Sequence, residues 1–498
     1  MFNLDMSKLA GLLSYDPGDP LLFGSSLFLF LFFALLVFYR LFANSKNARI
    51  LLILFFSLYF YYKASGLFFL LLIFSALFNF YSGKILFNTT GITKRKILLI
   101  INVAINLGIL GYFKYTNFFL EMISDFQLGT FEPLDILLPI GISFYTFKSM
   151  NYVLDIYLEA MEPTKSLRDF SVFVFFFPNI LAGPIDRASQ FLPQLENDVV
   201  LSKEDIGKAL LLIMSGLVKK IIIADYLALN FIDRVFDSPL RFTGVENLFA
   251  LYSYGLQIYC DFSGYSDIAI GIALLLGFKL MDNFNSPYQA TSIADFWRRW
   301  HISLSTFLLD YLFRPLQMKF RNLKMYGNMI ALIITFVLCG FWHGASWMFL
   351  FWGLLHGLYM AISLLLQKPK KKLYNRLKLT NTKLLKAGQV FITFHLLILS
   401  WVLFKVDNLQ SGLDIFNQIF SFFKPAVIPQ FIEGYTLTFI ILVLGYFIHF
   451  LPKSLEVKTA KLLAETHPVL QGVILAVVIW LCAQVQSAEL QPFIYFQF

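Results

Sequence analysis

Residues 339–347 read Cys-Gly-Phe-Trp-His-Gly-Ala-Ser-Trp, with one apolar run before them at 329–341 and another from 347 to 366. A helix of about 20 apolar residues crosses a hydrocarbon core of about 30 Å, so the pattern is that of two membrane helices meeting at a short polar knot. His343 then lies at membrane depth, where an ionisable side chain is costly and defaults to a functional reading. Its ordinary pKa suits proton transfer near neutral pH. The expectation is a histidine base in an apolar chamber, held by an all-α polytopic membrane protein.

A second knot precedes the first: residues 295–305 read Asp-Phe-Trp-Arg-Arg-Trp-His-Ile-Ser-Leu-Ser. The spacing of Phe296, Trp300, Leu304, Phe307 and Tyr311 predicts an amphipathic helix over 295–311 lying along the core, with Arg299, Ser303, Thr306 and Asp310 opposite. Asp295 stands three and four residues before Arg298 and Arg299, and Asp310 stands four before Arg314, so local ion pairing is one account of these charges. The other is that the arginines bind an anionic group of a donor, such as a phosphate. His301 carries the same two readings, a structural histidine on the polar face or a functional one. His356, His395, His449 and His467 read as structural or interfacial.

The bulk composition agrees with a membrane chain. Of 498 residues 58% are hydrophobic and 14% charged, against roughly 45–50% and about 25% in soluble domains. The net charge of +9 does not point to nucleic acid, because its basic residues fall in short loops, as the positive-inside rule requires. Lys94, Arg95 and Lys96 form one such group, and eight basic residues with no acidic one lie between Lys368 and Lys386. Cys260, Cys339 and Cys482 lie far apart in apolar surroundings, without metal or redox spacing, and read as small buried hydrophobes.

Apolar stretches near 21–40, 48–62, 65–82, 97–118, 206–225, 245–260, 263–280, 327–343, 345–366, 387–405, 434–450 and 468–485 are candidate spans. Two more runs are ambiguous: 170–182, which ends in Gly183-Pro184 and suggests a re-entrant or interfacial segment, and 134–157, which carries Pro139, Gly141 and Lys148. Asp5, Asp16 and Asp19 against Lys8 are the wrong charge for a leader peptide, so the first run reads as a retained span. The alternation of basic and acidic loops places both termini outside, and about eleven spans are expected. No repeat, linker or long hydrophilic stretch divides the chain, so residues 1–498 read as a single membrane domain.

Absences narrow the chemistry. There is no Gly-x₄-Gly-Lys-Ser/Thr, Gly-x-Gly-x-x-Gly or His-Glu-x-x-His motif and no Gly-x-Ser-x-Gly elbow, so nucleotide hydrolysis, dinucleotide chemistry, zinc proteolysis and the serine-hydrolase arrangement have no foothold. No histidines stand at metal-ligand spacing. Acid–base catalysis of a transfer remains, with a transporter of a lipid-linked sugar or polysaccharide, making no bond, as the rival class.

Several motifs in order carry a family likeness. Phe-Pro-Asn-Ile-Leu-Ala before Gly183-Pro184, Tyr-Cys-Asp-Phe-Ser-Gly-Tyr-Ser-Asp at 259–267, Asn-Phe-Asn-Ser-Pro-Tyr at 283–288, Phe-Trp-Arg-Arg-Trp-His-Ile-Ser at 296–303 and Phe-Trp-His-Gly-Ala-Ser-Trp at 341–347 together resemble the membrane-bound O-acyltransferases, in particular the branch of bacterial alginate and peptidoglycan O-acetyltransferase membrane subunits. The likeness covers at least residues 139–357. It implies a ring of tilted helices, about eleven transmembrane plus re-entrant or interfacial ones, around a thinned centre. It also implies His343 as the family's essential histidine and His301 as its second. An acyl thioester, either acetyl-CoA or acyl-carrier phosphopantetheine, would be the cytoplasmic co-substrate, with no bound cofactor or metal. Arg298, Arg299, Trp297, Asn285, Trp342 and Ser346 are the candidate donor- and substrate-binding residues. The acceptor would be an extracytoplasmic hydroxyl on a surface or secreted polysaccharide, reached with a separate extracytoplasmic partner protein. D-alanyl transfer to teichoic acid is the alternative within the family, and the bacterial cytoplasmic membrane is the expected location.

Overall fold

The 339–347 knot does join two long helices: Lys324–His343 and Trp347–Arg376 are separated by three residues. They pack backbone to backbone. A Cβ on Gly340 would stand 2.2 Å from the Phe349 carbonyl oxygen, and one on Gly353 would stand 2.3 Å from that of Phe336. Only glycine allows this approach, and the Gly353-x₃-Gly357 spacing on the second helix is the small-residue pattern by which membrane helices bring their backbones together.

The computed structural model describes residues 11–126, 129, 132–380, 382–485 and 493–494. Asp5 and Lys8, on which the leader reading partly rests, and the C-terminal end lie outside the described residues. Every regular element among the described residues is helical. By its internal contacts the chain divides into two compact units. The first comprises Met1–Ile213, Tyr265–Met281 and Leu463–Glu465; the second comprises Met214–Gly264, Asp282–Leu462 and Thr466–Phe498.

Length and apolar composition pick out seven membrane-crossing helices among the described residues, or eight if the pair Pro425–Gly434 and Thr436–Phe450, bent by 99°, counts as one. The difference from eleven has identifiable sources. The expected spans at 48–62 and 65–82 run together as Lys46–Asn88 through a short 3₁₀ turn at Gly66–Phe68. The first apolar run forms a helix of only 16 residues, Ser26–Leu41, and the 206–225 run passes from Lys203–Leu217 into a π-helical segment, Val218–Asp225. Burial separates core from periphery: 83% of the apolar window of Gly244–Leu275 is buried, against 6% for Pro468–Val485. Apolar side chains exposed on that scale suit lipid rather than water. All three cysteines are buried, and none of them is in a disulfide among the described residues.

In the first unit 170–182 and the 142–157 part of the other ambiguous run are protein-covered, whereas Leu134 and Leu137 are exposed. Residues 170–182 fold as two short helices, Leu167–Phe175 and Phe177–Ile180, and 142–157 form one helix buried along nearly its whole length. A polar network runs through them: Lys148 Nζ donates to Asn179 Oδ1 at 2.6 Å, and Asn179 Nδ2 donates to Asp186 Oδ2 at 2.6 Å. The Met281 N–H adds a further bond to Asp186 at 2.9 Å. Burial draws the Lys148 ammonium down and the Asp186 carboxyl up, and each charge opposes the shift of the other.

In the second unit the single amphipathic helix expected over 295–311 is broken. Ile293–Trp297 ends in a turn, Ile302–Leu308 follows, and a π-helical segment at Leu309–Phe313 leads into Arg314–Lys319. The break is at His301, whose φ of 44° and ψ of 54° are left-handed, a conformation that ends a right-handed helix. Tertiary hydrogen bonds take the place of helical ones there: Asn285 N–H donates to the Arg299 carbonyl at 2.9 Å, and Ile302 N–H donates to the Asn283 carbonyl at 3.0 Å. The apolar positions are nonetheless the inner ones, since Phe296, Trp300, Leu304 and Phe307 are buried. Ser303, expected on the outer side, is buried as well.

Candidate active site

His343 is the last residue of its helix and is 2% exposed. It owes this place to the hairpin, whose glycine contacts bring Trp352 of the returning helix beside it. The imidazole is surrounded by rings: its centroid lies 5.0 Å from that of Trp342, 5.2 Å from Trp352 and 5.3 Å from Phe404. Such a chamber excludes water and strengthens whatever electrostatic interaction forms inside it. Trp342 also packs on His301, with centroids 6.1 Å apart. One tryptophan therefore touches both candidate histidines.

His301 is fully buried, and its ring meets Phe262 edge-on at 4.6 Å. Its Nδ1 lies 3.1 Å from Asn283 Oδ1, the same oxygen that accepts from Ser303 Oγ at 2.9 Å and from Ser303 N–H at 3.3 Å. Burial, disfavouring the charged ring, pushes the His301 pKa down to about 3, so the imidazole is neutral across the physiological range.

Trp297 occupies the same aromatic cluster, 5.8 Å from Trp352, but its indole N–H is directed at His356 Nδ1, 3.3 Å away. His356 Nε2 in turn lies 3.1 Å from Ser400 Oγ, which donates to the Leu397 carbonyl at 2.7 Å. This chain of hydrogen bonds is consistent in direction from end to end, which supports the structural reading of His356.

The remaining candidates lie elsewhere. Arg298 is exposed and makes no ion pair among the described residues. Half-buried Arg299 donates from Nε to Asp295 Oδ1 at 3.0 Å and from Nη1 to the Asn285 carbonyl at 3.4 Å. Partial burial opposes ionisation of Asp295, but the Thr291 N–H, the bond from Arg299 and the charges of Arg299 and Arg298 outweigh it and hold the carboxyl below its usual range. Asn285 is exposed, with Lys453 Nζ 3.5 Å from its Oδ1. Ser346 is half-buried at the start of the returning helix.

The sequence candidates thus fall into two groups, an aromatic chamber with His343, His301, Trp342 and Trp297, and an open basic cluster with Arg298, Arg299 and Asn285. Sequence reasoning missed Asn283, Trp352 and Phe404. Trp352 could have been found from its place one residue before Gly353, on the helix that must pack against the knot. Among the described residues no group of three His, Cys, Asp or Glu side chains is placed to hold a metal ion.

Comparison with known proteins supplies the class. The profile of the membrane-bound O-acyltransferase family matches residues 158–404, which include both groups. A peptidoglycan O-acetyltransferase of Helicobacter pylori is 36% identical over 82% of this chain and 81% of its own length. The chain belongs to the membrane-bound O-acyltransferase family. The probable alginate O-acetylase AlgI of Pseudomonas aeruginosa, 39% identical over 81% of this chain and 75% of its own length, is another relative. A teichoic acid D-alanyltransferase of Streptococcus thermophilus is 30% identical over 53% of this chain and 68% of its own. As a membrane-bound O-acyltransferase, the protein is a multi-pass membrane enzyme that transfers acyl groups to oxygen.

Proposed function

We infer that the protein transfers an acetyl group from a cytoplasmic thioester to a hydroxyl on an extracytoplasmic polysaccharide, with His343 as general base. The observation that carries this reading is the placement of His343, a buried imidazole at the end of a membrane-length helix inside a chamber of aromatic rings. In the step the imidazole takes the acceptor's O–H proton while the oxygen attacks the thioester carbonyl carbon. The C–S bond breaks, the ester C–O bond forms, and the leaving thiolate receives the proton. Proton transfer of this kind contributes typically 10²–10⁴-fold.

Acetyl is preferred to D-alanyl because the O-acetyltransferase relatives align over 81–82% of the chain and the D-alanyltransferase over 53%. The donor is acetyl-CoA or an acyl-carrier phosphopantetheine; both bring phosphate, for which the exposed fork of Arg298, beside Arg299 and Asn285, is suited. The enzyme would sit in the bacterial cytoplasmic membrane, and the alternation of basic and acidic loops supports both termini outside. Delivery to the polymer uses a separate extracytoplasmic protein.

Purified protein in vesicles, given acetyl-labelled thioester donors and a small hydroxyl acceptor, should release thiol and O-acetylate the acceptor, whereas efficient O-acetylation of polymer by the protein alone would argue against the separate delivery protein. Exchange of a sugar substrate across the vesicle without thiol release would place the protein among transporters.

A further inference from the structure

We propose that Asn283 is a positioning residue that fixes the tautomer of His301, placing its proton on Nδ1 and leaving Nε2 as the ring atom with the lone pair. The argument begins with Ser303. Its backbone N–H can only donate, and it faces the Asn283 side chain at 3.3 Å, so the atom it meets is the amide's carbonyl oxygen and not its nitrogen. That same oxygen stands 3.1 Å from His301 Nδ1. Two lone pairs cannot face each other at this distance without a proton between them, so Nδ1 carries it. A neutral imidazole holds one N–H, and Nε2 is therefore the acceptor.

The main chain enforces the same geometry. The Asn283 carbonyl accepts from Ile302 N–H at 3.0 Å, and Asn285 N–H holds the Arg299 carbonyl at 2.9 Å. The chain on both sides of His301 is thereby clamped to the 283–285 segment. A left-handed backbone at a non-glycine residue is strained and persists where its surroundings over-determine it. Asn283 meets His301 through its side chain and the following residue through its main chain, so it sets both the backbone twist and the direction in which Nε2 points. The acyl-transfer reading enters only in what Nε2 then does, which is to accept a hydrogen bond that orients donor or acceptor; the tautomer itself follows from the packing.

The test is ¹⁵N NMR on the full-length, histidine-labelled protein in lipid bilayers at pH 7. The chain has six histidines, and His301→Gln identifies the pair of signals to follow. The expected spectrum has a protonated Nδ1 and an unprotonated Nε2. Asn283→Ala should release that preference and lower polymer O-acylation in cells by about 10–100-fold, the usual range for losing the partner that orients a functional imidazole. Asn283→Asp, which keeps an acceptor oxygen, should keep Nδ1 protonated and recover part of the transfer. A wild-type spectrum with the proton on Nε2, or an Asn283→Ala protein with unchanged spectrum and unchanged transfer, overturns the proposal. Should Asn283→Ala fail to fold, the wild-type spectrum decides alone. Should His343→Ala keep full transfer while Nδ1 of His301 is protonated, the assignment of the base fails and the positioning role stands.

Discussion

His343 and His356 lie on the two arms of one helical hairpin and pack on the same tryptophan, Trp352, at 5.2 and 4.6 Å, yet they are held in different ways. His356 is a strut. Its Nδ1 takes the Trp297 N–H and its Nε2 meets Ser400, so both nitrogens serve the fold. His343 is enclosed instead by the faces and edges of Trp342, Trp352 and Phe404. Burial alone does not mark a functional histidine, since both are buried; His356 is tied by hydrogen bonds to Trp297 and Ser400, and His343 stands at a helix end among aromatic rings. The arginines repeat the contrast on the surface, with Arg299 engaged by Asp295 and Asn285 and Arg298 exposed.

If His356 is a strut, replacing it by alanine leaves the Trp297 N–H unsatisfied, takes the partner from Ser400 and opens a cavity, at a cost of about 2–4 kcal/mol. The melting temperature in detergent should fall clearly, while the specific activity of the folded fraction stays within a few-fold of wild type. Normal melting with lost turnover would break the comparison.

The buried state of His301 predicts a smaller effect with a defined sign. Its pKa is about 3 in the fold against the ordinary histidine value of 6.5, so between these pH values the unfolded chain binds a proton that the folded chain excludes. The contribution is complete above about pH 6.5 and is lost progressively as the pH falls towards 3. At pH 5 the loss amounts to at most about 2 kcal/mol. Melting temperatures at pH 7 and pH 5 should diverge more in wild type than in His301→Gln, and equal divergence would contradict the exclusion of the proton.

Among the arginines, Arg298→Lys should raise the apparent donor KM about tenfold, equivalent to about 1.4 kcal/mol, with little change in melting, because lysine lacks the planar fork. Arg299→Lys and Asp295→Asn should resemble each other and act mainly on local stability. An unchanged KM in Arg298→Lys would retire the donor-site reading.

How much of this was legible in the sequence depended on whether a signal was local. His343 stood out because one titratable residue interrupts two apolar runs, and the Asp295–Arg299 and Asp310–Arg314 pairs follow from helical spacing and form. Asn283 was not distinguishable as a positioning residue, because within Asn-Phe-Asn-Ser-Pro-Tyr at 283–288 no local signal sets it above Asn285, the asparagine taken as the candidate. Nor did any glycine announce the left-handed backbone at His301, which is imposed by a segment 16 to 18 residues away. The count of apolar runs differs from the count of long apolar helices for a similar reason. Apolar composition does not say whether lipid or protein covers a run, and Phe170 to Phe177, apart from half-buried Ser171, are buried inside the first unit.

The central claim rests on His343, and the most direct measurement compares wild type with His343→Ala in O-acylation of the cell's exopolymer, with matched amounts of folded protein confirmed by detergent melting. The account predicts normal folding and a loss of transfer of at least about 10²-fold. Wild-type O-acylation by a normally folded His343→Ala protein would contradict it.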